Sequence, residues 1–252
     1  MRRAGMRIEA AEVPRLVETA GGAFCLRGWA SGRVIAGVSG RSLDGAALLQ
    51  ALRPSARAVE AEQVHGASLA VIAHPATNCG GGAGPGPAAQ MVPGCDALLT
   101  HASGAALLVR TADCLPIFFA DPRRGVVGLA HAGWRGLSSS LPARVVAAFR
   151  HVYHVPAESL HVAIGPAIRA CCYEVGPEFA GRFGPFVQER GGRRTCDLVG
   201  VVREQLRRCG VRSDRVADTR ACTACDTQRW FSLRREGPST GRLVSLIALR
   251  GP

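Results

Sequence analysis

The stretch TADCLPIFFADPRRGVVGLAHAGWRG, residues 111–136, decides how the rest of the chain is arranged. It contains two short apolar runs rich in β-forming residues, LPIFF at 115–119 and VVGLA at 126–130. The intervening DPRRG places proline early in a turn and glycine at its end, which is typical of a tight connection between two strands. An antiparallel hairpin brings the start of its first strand beside the end of its second. The pattern therefore predicts that Cys114 and His131, which flank the hairpin, are neighbours in the fold.

The residues beside this thiol and this imidazole favour a functional interpretation. A single cysteine is more often an inert, buried residue, and a single histidine is more often structural. Here an acid, an indole and a guanidinium lie next to them in the sequence, as Asp113, Trp134 and Arg135. The open end of the hairpin is therefore a candidate active site.

Helical periodicity occurs in three segments outside the hairpin. Helices are predicted at 44–52, 138–153 and 197–210. The second is expected to begin at its run of serines. The third is expected to be capped by Asp197 and to end at Gly210.

Further strands are predicted on both sides of the hairpin. A Gly/Pro-rich loop is expected at 79–94, and a closing hairpin at the C-terminus is expected from 229–236 and 242–249. The other strands are expected once within 16–28 and at 57–66, 68–73, 96–101, 105–110 and 160–165. This order predicts mixed sheets with helices on the outside.

Composition limits the class of protein. The 252 residues are 47% apolar, enough for a core that needs no disulfide or metal to fold. The net charge is +12 and every basic residue is arginine, which allows an anion site. Aromatic residues are 5% and no recognition motif is present, so a nucleic-acid partner is not expected. With no signal peptide and no membrane-spanning run, we expect a cytoplasmic protein with reduced thiols and no membrane partner.

A third candidate metal ligand joins the pair at the hairpin. His65 lies in QVHG, at the end of a predicted strand. With Cys114 and His131 it would supply three of the four tetrahedral ligands of zinc and leave one position open, as catalytic zinc requires. A Cys–His pair without metal is also the dyad of a nucleophilic hydrolase. Local spacing does not separate these two interpretations.

Two other pairs of cysteines stand apart from the hairpin. Cys222 and Cys225 form a C-x-x-C, which fits half of a structural zinc site or a redox pair. No second pair has matching spacing, so neither interpretation is favoured. The vicinal Cys171 and Cys172 are expected to lie near the active site without binding metal.

Several motifs together resemble the YfiH-like family, whose members have been described as polyphenol-oxidase laccases and later as purine nucleoside phosphorylases with adenosine deaminase activity. In order, they are QVHG (63–66), CDALLT (95–100), TADCLP (111–116), HAGWRG (131–136), IGPAIRACCYEVG (164–176), DL (197–198) and FSLRREGPSTGR (231–242).

The resemblance implies a single α+β domain over 1–252 with a four-layer αββα fold and mixed sheets, a fold type shared with CNF-like cysteine hydrolases. It implies zinc held by His65, Cys114 and His131. It also implies phosphorolysis of adenosine, inosine, guanosine and methylthioadenosine, and deamination of adenosine. Purine nucleosides and phosphate are thus the expected partners.

Roles for individual residues follow from this chemistry. Asp113 is a candidate proton carrier or a partner that orients a metal ligand, and Arg135 is a further catalytic candidate. Arg234 and Arg235 are candidates for holding phosphate, and Trp134 or Phe231 for stacking on the base. Gln63 is a candidate substrate contact.

The N-terminal part, residues 1–57, departs from the family pattern. Family members usually have an Asn-Arg pair at the start of the helix before QVHG, where this chain has Asp44-Gly45. This difference removes one expected contact to phosphate.

Three alternative functions remain open. The first is a copper-dependent polyphenol oxidase, since two histidines and a cysteine also suit Cu²⁺. The seven histidines include no His-x-His pair, which argues against a multicopper enzyme. The others are a cysteine hydrolase that edits peptidoglycan precursors and a non-enzymatic, arginine-rich anion binder.

Overall fold

A computed structural model describes residues 15–19, 22–30, 32–52, 56–74 and 89–251. Most of the predicted loop at 79–94, residues 79–88, lies outside the described residues. In the described part of the chain, no helix combines the length and the apolar character needed to cross a membrane.

The described strands form two large mixed sheets and one small antiparallel pair. The first sheet has the order β1 (Arg15–Glu18), β2 (Ala23–Arg27), β3 (Val34–Ser39), β15 (Leu243–Leu249), β8 (Ala105–Thr111), β4 (Arg57–Ala61) and β6 (Gln90–Val92). The second has the order β14 (Val216–Asp218), β11 (His161–Ile164), β9 (Leu115–Asp121), β10 (Val126–Ala132), β7 (Ala97–Thr100) and β5 (Leu69–Ile72). The small pair is β12 (Val187–Arg190) with β13 (Arg193–Cys196).

The six described α-helices are short. They are α1 (Gly45–Leu52), α2 (Trp134–Ser138), α3 (Leu141–Tyr153), α4 (Glu178–Phe183), α5 (Leu198–Arg208) and α6 (Leu233–Glu236). One apolar cluster lies between the two sheets, a second between the second sheet and helices α2, α3 and α5, and a third between the first sheet and α1. The predicted four-layer αββα arrangement is therefore confirmed.

Strand β9 has a continuously apolar sequence because both of its faces are buried. Ile117 and Phe119 pack in the cluster on the helix side, whereas Phe118 packs between the sheets. Successive side chains of a strand point to opposite faces, and both faces of β9 are covered. The hairpin at the centre of the fold is thus anchored on two sides.

Three sequence predictions need correction. The segment 229–236 forms no strand: Ser232 caps α6 by accepting a hydrogen bond from Arg235 N, and β15 pairs with β3 and β8 instead. Residues 16–28 contribute parts of two strands, not one, because the chain reverses between β1 and β2.

The helix predicted at 138–153 begins later, at Leu141, because Ser140 has φ 57° and cannot continue a helix. Ser140 is the N-cap residue, as the run of serines predicted, but its side chain makes no capping hydrogen bond. The caps of α5 are confirmed, since Asp197 accepts from Gly200 N at 3.0 Å and Gly210 has φ 87°.

Candidate functional site

The hairpin register places the two flanking residues at one end of the second sheet. His131 pairs with Pro116 and Ala132 pairs with Leu115, so Cys114 lies just beyond the end of the ladder. The ligand atoms of His65, Cys114 and His131 all lie within 4.8 Å of one another. His65 is exposed and His131 is buried, so the cluster opens toward solvent on the His65 side.

Asp96 holds the two histidines in this arrangement. Its carboxylate accepts hydrogen bonds from His65 N at 2.9 Å, Gly66 N at 2.7 Å and His131 Nδ1 at 2.9 Å. Its main-chain carbonyl accepts a further bond from His131 N at 2.7 Å. Because Nδ1 of His131 is used by the carboxylate, Nε2 remains for a metal or for Cys114, as in the carboxylate–histidine pairs of metal sites.

The electrostatics of the cluster suit an anionic sulfur. Burial raises the pKa of the Cys114 thiol, but hydrogen bonds with His131 and His65 outweigh it and lower the pKa to about 7. Burial lowers the pKa of His131, but Asp96 and Cys114 together raise it to about 9. A thiolate beside an imidazolium is the expected state of this pair without metal.

The backbone around the cluster adopts uncommon conformations. Gln63, His65 and Asp113 have φ values of 65°, 60° and 91°. Such left-handed conformations in non-glycine residues cost energy and occur preferentially at functional sites. At Gly133 a Cβ atom would lie only 3.0 Å from Cys114 Sγ and 3.6 Å from His65 Cδ2. Any larger residue at this position would therefore displace the Cys114 sulfur.

Asp113 connects the hairpin to two other loops. Its carboxylate accepts from Thr223 Oγ1 and from Arg234 N, both at 2.6 Å, and its main-chain carbonyl accepts from Ile168 N at 3.0 Å. With both oxygens engaged, this acid fits an orienting role better than that of a mobile proton carrier.

The two arginines predicted to hold phosphate lie on α6, close to this acid. Arg234 Nη1 donates to Glu174 O at 2.6 Å, and its guanidinium lies 5.0 Å from the ring centre of Tyr173. Arg235 Nη1 donates to Ala224 O at 3.2 Å. Both side chains are exposed, and each guanidinium has further N–H donors that an anion can accept from.

Trp134 is the indole that begins α2, immediately after Gly133. Its ring lies 5.5 Å from Phe179, and the guanidinium groups of Arg135 and Arg182 lie 4.5 and 5.3 Å from its centre. Arg135 is therefore placed on the indole by cation–π contact and is exposed.

Phe231 is the second residue predicted to stack on a base. Arg41 lies over its ring at 4.4 Å and forms an ion pair with Glu236 on α6. A Cβ at Gly241 would lie 2.5 Å from the ring, so this glycine lets the chain pass close to the aromatic face.

Gln63, the predicted substrate contact, is engaged with the backbone of β8. Its Nε2 donates to Arg110 O at 2.6 Å, and its Oε1 accepts from Arg110 N at 2.7 Å. These bonds give it a role in holding the QVHG turn against the first sheet.

The start of α1 shows what stands in place of the family's Asn-Arg pair. Asp44 accepts from Ala47 N at 2.8 Å and caps the helix. A Cβ at Gly45 would meet Val244 at 3.5 Å, an ordinary van der Waals distance.

The remaining two cysteine pairs are brought together in space. Cys171 and Cys172 join Cys222 and Cys225, with all four sulfur atoms within 4.8 Å of one another. The C-x-x-C therefore has a second pair of thiols beside it, as adjacent residues rather than at matching spacing.

Sequence reasoning missed Asp96 and Tyr173 as site residues. Asp96 stands inside CDALLT, directly before the fully buried strand β7, and a carboxylate at that position is the available signal. Burial raises the pKa of Tyr173 to about 12, with Arg234 opposing and Cys114 adding to this effect. The Tyr173 hydroxyl therefore keeps its proton at neutral pH beside the cluster.

The chain is similar to proteins that are named purine nucleoside phosphorylase. The chain is 35% identical over 206 residues to purine nucleoside phosphorylase YlmD of Geobacillus stearothermophilus, covering 78% of this chain and 74% of that protein. It is 40% identical over 159 residues to a purine nucleoside phosphorylase of Deinococcus radiodurans, covering 61% of each.

Solved structures show the same fold. The crystal structure of Geobacillus stearothermophilus YlmD superposes with a TM-score of 0.84 at 30% identity, covering 94% of this chain and all of that one. The Bacillus licheniformis hypothetical protein YfiH superposes with a TM-score of 0.79, over 93% of this chain and 98% of that one, and at 24% identity supports the fold alone. The family model described as multi-copper polyphenol oxidoreductase laccase matches residues 44–250, so the chain belongs to this YfiH- and laccase-like family.

Proposed function

We propose that the protein is a zinc-dependent purine nucleoside phosphorylase with adenosine deaminase activity. The observation that carries the proposal is the group of three ligand atoms from His65, Cys114 and His131, with His131 oriented by Asp96. Two neutral imidazoles and one thiolate suit zinc, and three protein ligands leave a fourth position for chemistry. Relatives named purine nucleoside phosphorylase support the substrate class.

In deamination, the metal and the protein residues would have different roles. Zinc, when bound, supplies a Lewis acid that lowers the pKa of water to about 7, which suits addition of water at C6 of adenosine. Asp96 fixes the tautomer of His131, and the Cys114 thiolate adds negative charge to the ligand set. Ammonia then leaves from C6, and inosine is the product.

Phosphorolysis requires an anion beside C1′ of the ribose. A phosphate oxygen forms a bond to C1′, and the bond from C1′ to the base nitrogen breaks with its electron pair going to the base, which takes up a proton. Positive charge develops on the ribose, so a bound phosphate stabilises the transition state. Arg234 and Arg235 are our candidates for holding it, because both are exposed on α6. The backbone of this helix is bound at Arg234 N by the carboxylate of Asp113, the residue before Cys114.

The base would stack on Trp134 or Phe231, each already in contact with a guanidinium. We assign the nucleosides adenosine, inosine, guanosine and methylthioadenosine as substrates. The proposal is tested by metal analysis of the purified protein followed by a nucleoside panel with and without phosphate. Release of free base only with phosphate, and of inosine from adenosine without it, is the expected result.

Failure of the zinc-loaded protein to act on any purine nucleoside would overturn the assignment. Phenol oxidation by the copper-loaded protein would support the oxidase alternative instead. A cysteine hydrolase is favoured by the hydrogen bonds of the Cys114 thiol with His131 and His65, which lower its pKa to about 7. Ester or amide hydrolysis that persists after chelation would identify that function.

The Asp44-Gly45 sequence bears on the balance between the two reactions. An arginine holds phosphate through charge-assisted bonds worth about 1.5–3 kcal/mol each. Lack of such an arginine should raise the phosphate concentration needed for phosphorolysis by about tenfold or more, since 1.4 kcal/mol is a factor of ten. Arg41 is a candidate replacement, although it already pairs with Glu236. Arg53, a second candidate, lies outside the described residues.

Gly45→Arg tests this point, since the position has room for a Cβ. The variant should lower the phosphate KM and leave deamination unchanged. Arg41→Ala is the companion variant. Tight use of phosphate by the native protein that survives Arg41→Ala would show that phosphate does not depend on this end of α1.

A further inference from the structure

A second cluster of metal-binding side chains lies apart from the hairpin, where residues 171–172 meet residues 222–225. The Cys171 sulfur lies 3.7 Å from that of Cys222 and 3.6 Å from that of Cys225, and the Cys172 sulfur lies 3.4 Å from that of Cys225. All four sulfur atoms lie within 4.8 Å of one another. The cysteines of the described residues are all free thiols.

These separations match a tetrahedral zinc site. Zinc binds cysteine sulfur at about 2.3 Å, so the edge of an ideal ZnS₄ tetrahedron is about 3.8 Å. A disulfide requires about 2.05 Å between its sulfur atoms, which is far shorter than any of the three measured distances. The four thiols are therefore arranged as a ligand set rather than as two oxidised pairs.

The two loops that carry these thiols are fixed to each other by the backbone. Ala167 N donates to Ala221 O at 3.2 Å, and Thr223 N donates to Ala167 O at 3.1 Å. Arg169 adds a two-point ion pair with Asp218, with distances of 2.9 and 2.7 Å. The ligands are thus brought together by contacts that do not themselves depend on a metal.

The Cys222 sulfur is surrounded by hydrogen-bond donors. The backbone N–H groups of Arg169, Cys225 and Ala224, together with the Cys225 thiol, hydrogen-bond to it. Amide donors around a sulfur are the outer partners expected for a metal-bound cysteine. Four crowded thiols of this kind gain a common partner when a divalent cation replaces their protons.

We propose that Cys171, Cys172, Cys222 and Cys225 bind a structural zinc ion. Four protein sulfurs complete the tetrahedral coordination, so no position remains for substrate, and this distinguishes structural from catalytic zinc. A tetrahedral S₄ set also suits iron, so the identity of the metal is part of the test.

The site stabilises the scaffold of the first cluster. Thr223, inside the C-x-x-C segment, donates to Asp113 at 2.6 Å, and Asp113 precedes Cys114. Ala224, in the same segment, accepts from Arg235 on α6 at 3.2 Å. A metal at this site holds the loop that positions Asp113 and Arg235.

The test is elemental analysis of the purified full-length chain and its variants. The wild type should contain about two zinc ions per chain, one for each cluster. The Cys222→Ser, Cys225→Ser double variant should lose one of them. Cys171→Ser, at an exposed position with little risk to folding, should weaken retention of the same ion. Cys209→Ser is the matched control, since Cys209 belongs to neither cluster, and it should retain the wild-type content.

Cys114→Ala keeps the four-cysteine site testable if the double variant does not fold. X-ray absorption at the zinc edge of this variant should show four sulfur neighbours at about 2.3 Å. A shell containing nitrogen or oxygen, iron in place of zinc, or a protein without metal would overturn the proposal. If the wild type contains only one zinc ion and Cys114→Ala retains it, the result would support this site and count against zinc at the first cluster.

Discussion

The two proposed metal sites differ in the number of coordination positions that they leave open. His65, Cys114 and His131 offer three mixed ligands at the end of a buried hairpin and open to solvent through an exposed histidine. The four cysteines, at residues 171–172 and 222–225, offer four sulfur ligands, which would leave no free position on a tetrahedral metal. At the first site the carboxylate of Asp96 orients the histidines, which suits a catalytic metal. At the second site backbone amides hydrogen-bond to the Cys222 sulfur, which suits a structural metal.

Cys114→Ala should have the largest effect on activity. Even partners outside the ligand set change metal affinity or activity by about 10–100-fold, so loss of a ligand should exceed about 100-fold. Zinc content and nucleoside turnover measure the effect, and circular dichroism should show that the fold persists. Full zinc occupancy in this variant would remove Cys114 from the ligand set.

Asp96→Asn should reduce metal affinity or turnover by about 10–100-fold. The amide keeps the shape but loses the negative charge that three N–H donors share. Asp121→Asn is a matched control, because Asp121 is equally buried but lies at the opposite end of β9. It should cost stability while metal affinity stays unchanged; equal losses in both variants would argue against a specific role for Asp96.

Cys222→Ser with Cys225→Ser should chiefly lower stability. A ligand at a thousand times its dissociation constant contributes about 4 kcal/mol. At about 2–4 °C per kcal/mol for a chain of this size, Tm should fall by about 8–16 °C. Calorimetry against Cys209→Ser gives the comparison. An unchanged Tm would mean that the four thiols hold no structural metal.

Thr223→Val should have the smallest effect and tests the link between the clusters. It removes the hydroxyl bonded to Asp113 and leaves a buried oxygen unpaired, at a cost of about 1–3 kcal/mol in stability. Turnover should fall by less than about tenfold, with zinc content unchanged at both sites.

Thr100→Val provides the control for this substitution, since its buried hydroxyl donates to Ile72 O at 2.7 Å in a strand pair away from both clusters. It should lose stability without losing turnover. A loss of zinc in Thr223→Val would show that the loop, rather than its cysteines alone, retains the metal.

The sequence predicted those parts of the fold that depend on local patterns. The 111–136 hairpin follows from two apolar runs and a turn, and α5 follows from its caps. The segment 229–236 was mispredicted because its tryptophan, phenylalanine and leucine favour a strand. In the fold, the Ser232 cap and the bond from Arg234 N to Asp113 stabilise a helical turn there instead.

The candidate residues that flank the hairpin, Cys114 and His131, and the one in the QVHG motif, His65, were predicted from the sequence. Contacts between segments that are distant in the sequence were missed. The role of Asp96 depends on strand β7 pairing with β10, which no local pattern encodes. Cys171 lies 3.7 Å from Cys222, 51 positions away, because the loops after β11 and β14 leave a parallel pair of strands at the same end. Spacing rules for paired cysteines do not anticipate such a contact.

The exposure of His65 affects how a metal ion would reach the proposed first site. His131 is buried against Asp96, and Cys114 is covered on one side by Gly133, whereas His65 faces solvent. An incoming ion would meet His65 first and would then reach the inner ligands, Cys114 and His131. Loading would thus follow folding, and a chain stripped by a chelator would be reloaded without being unfolded.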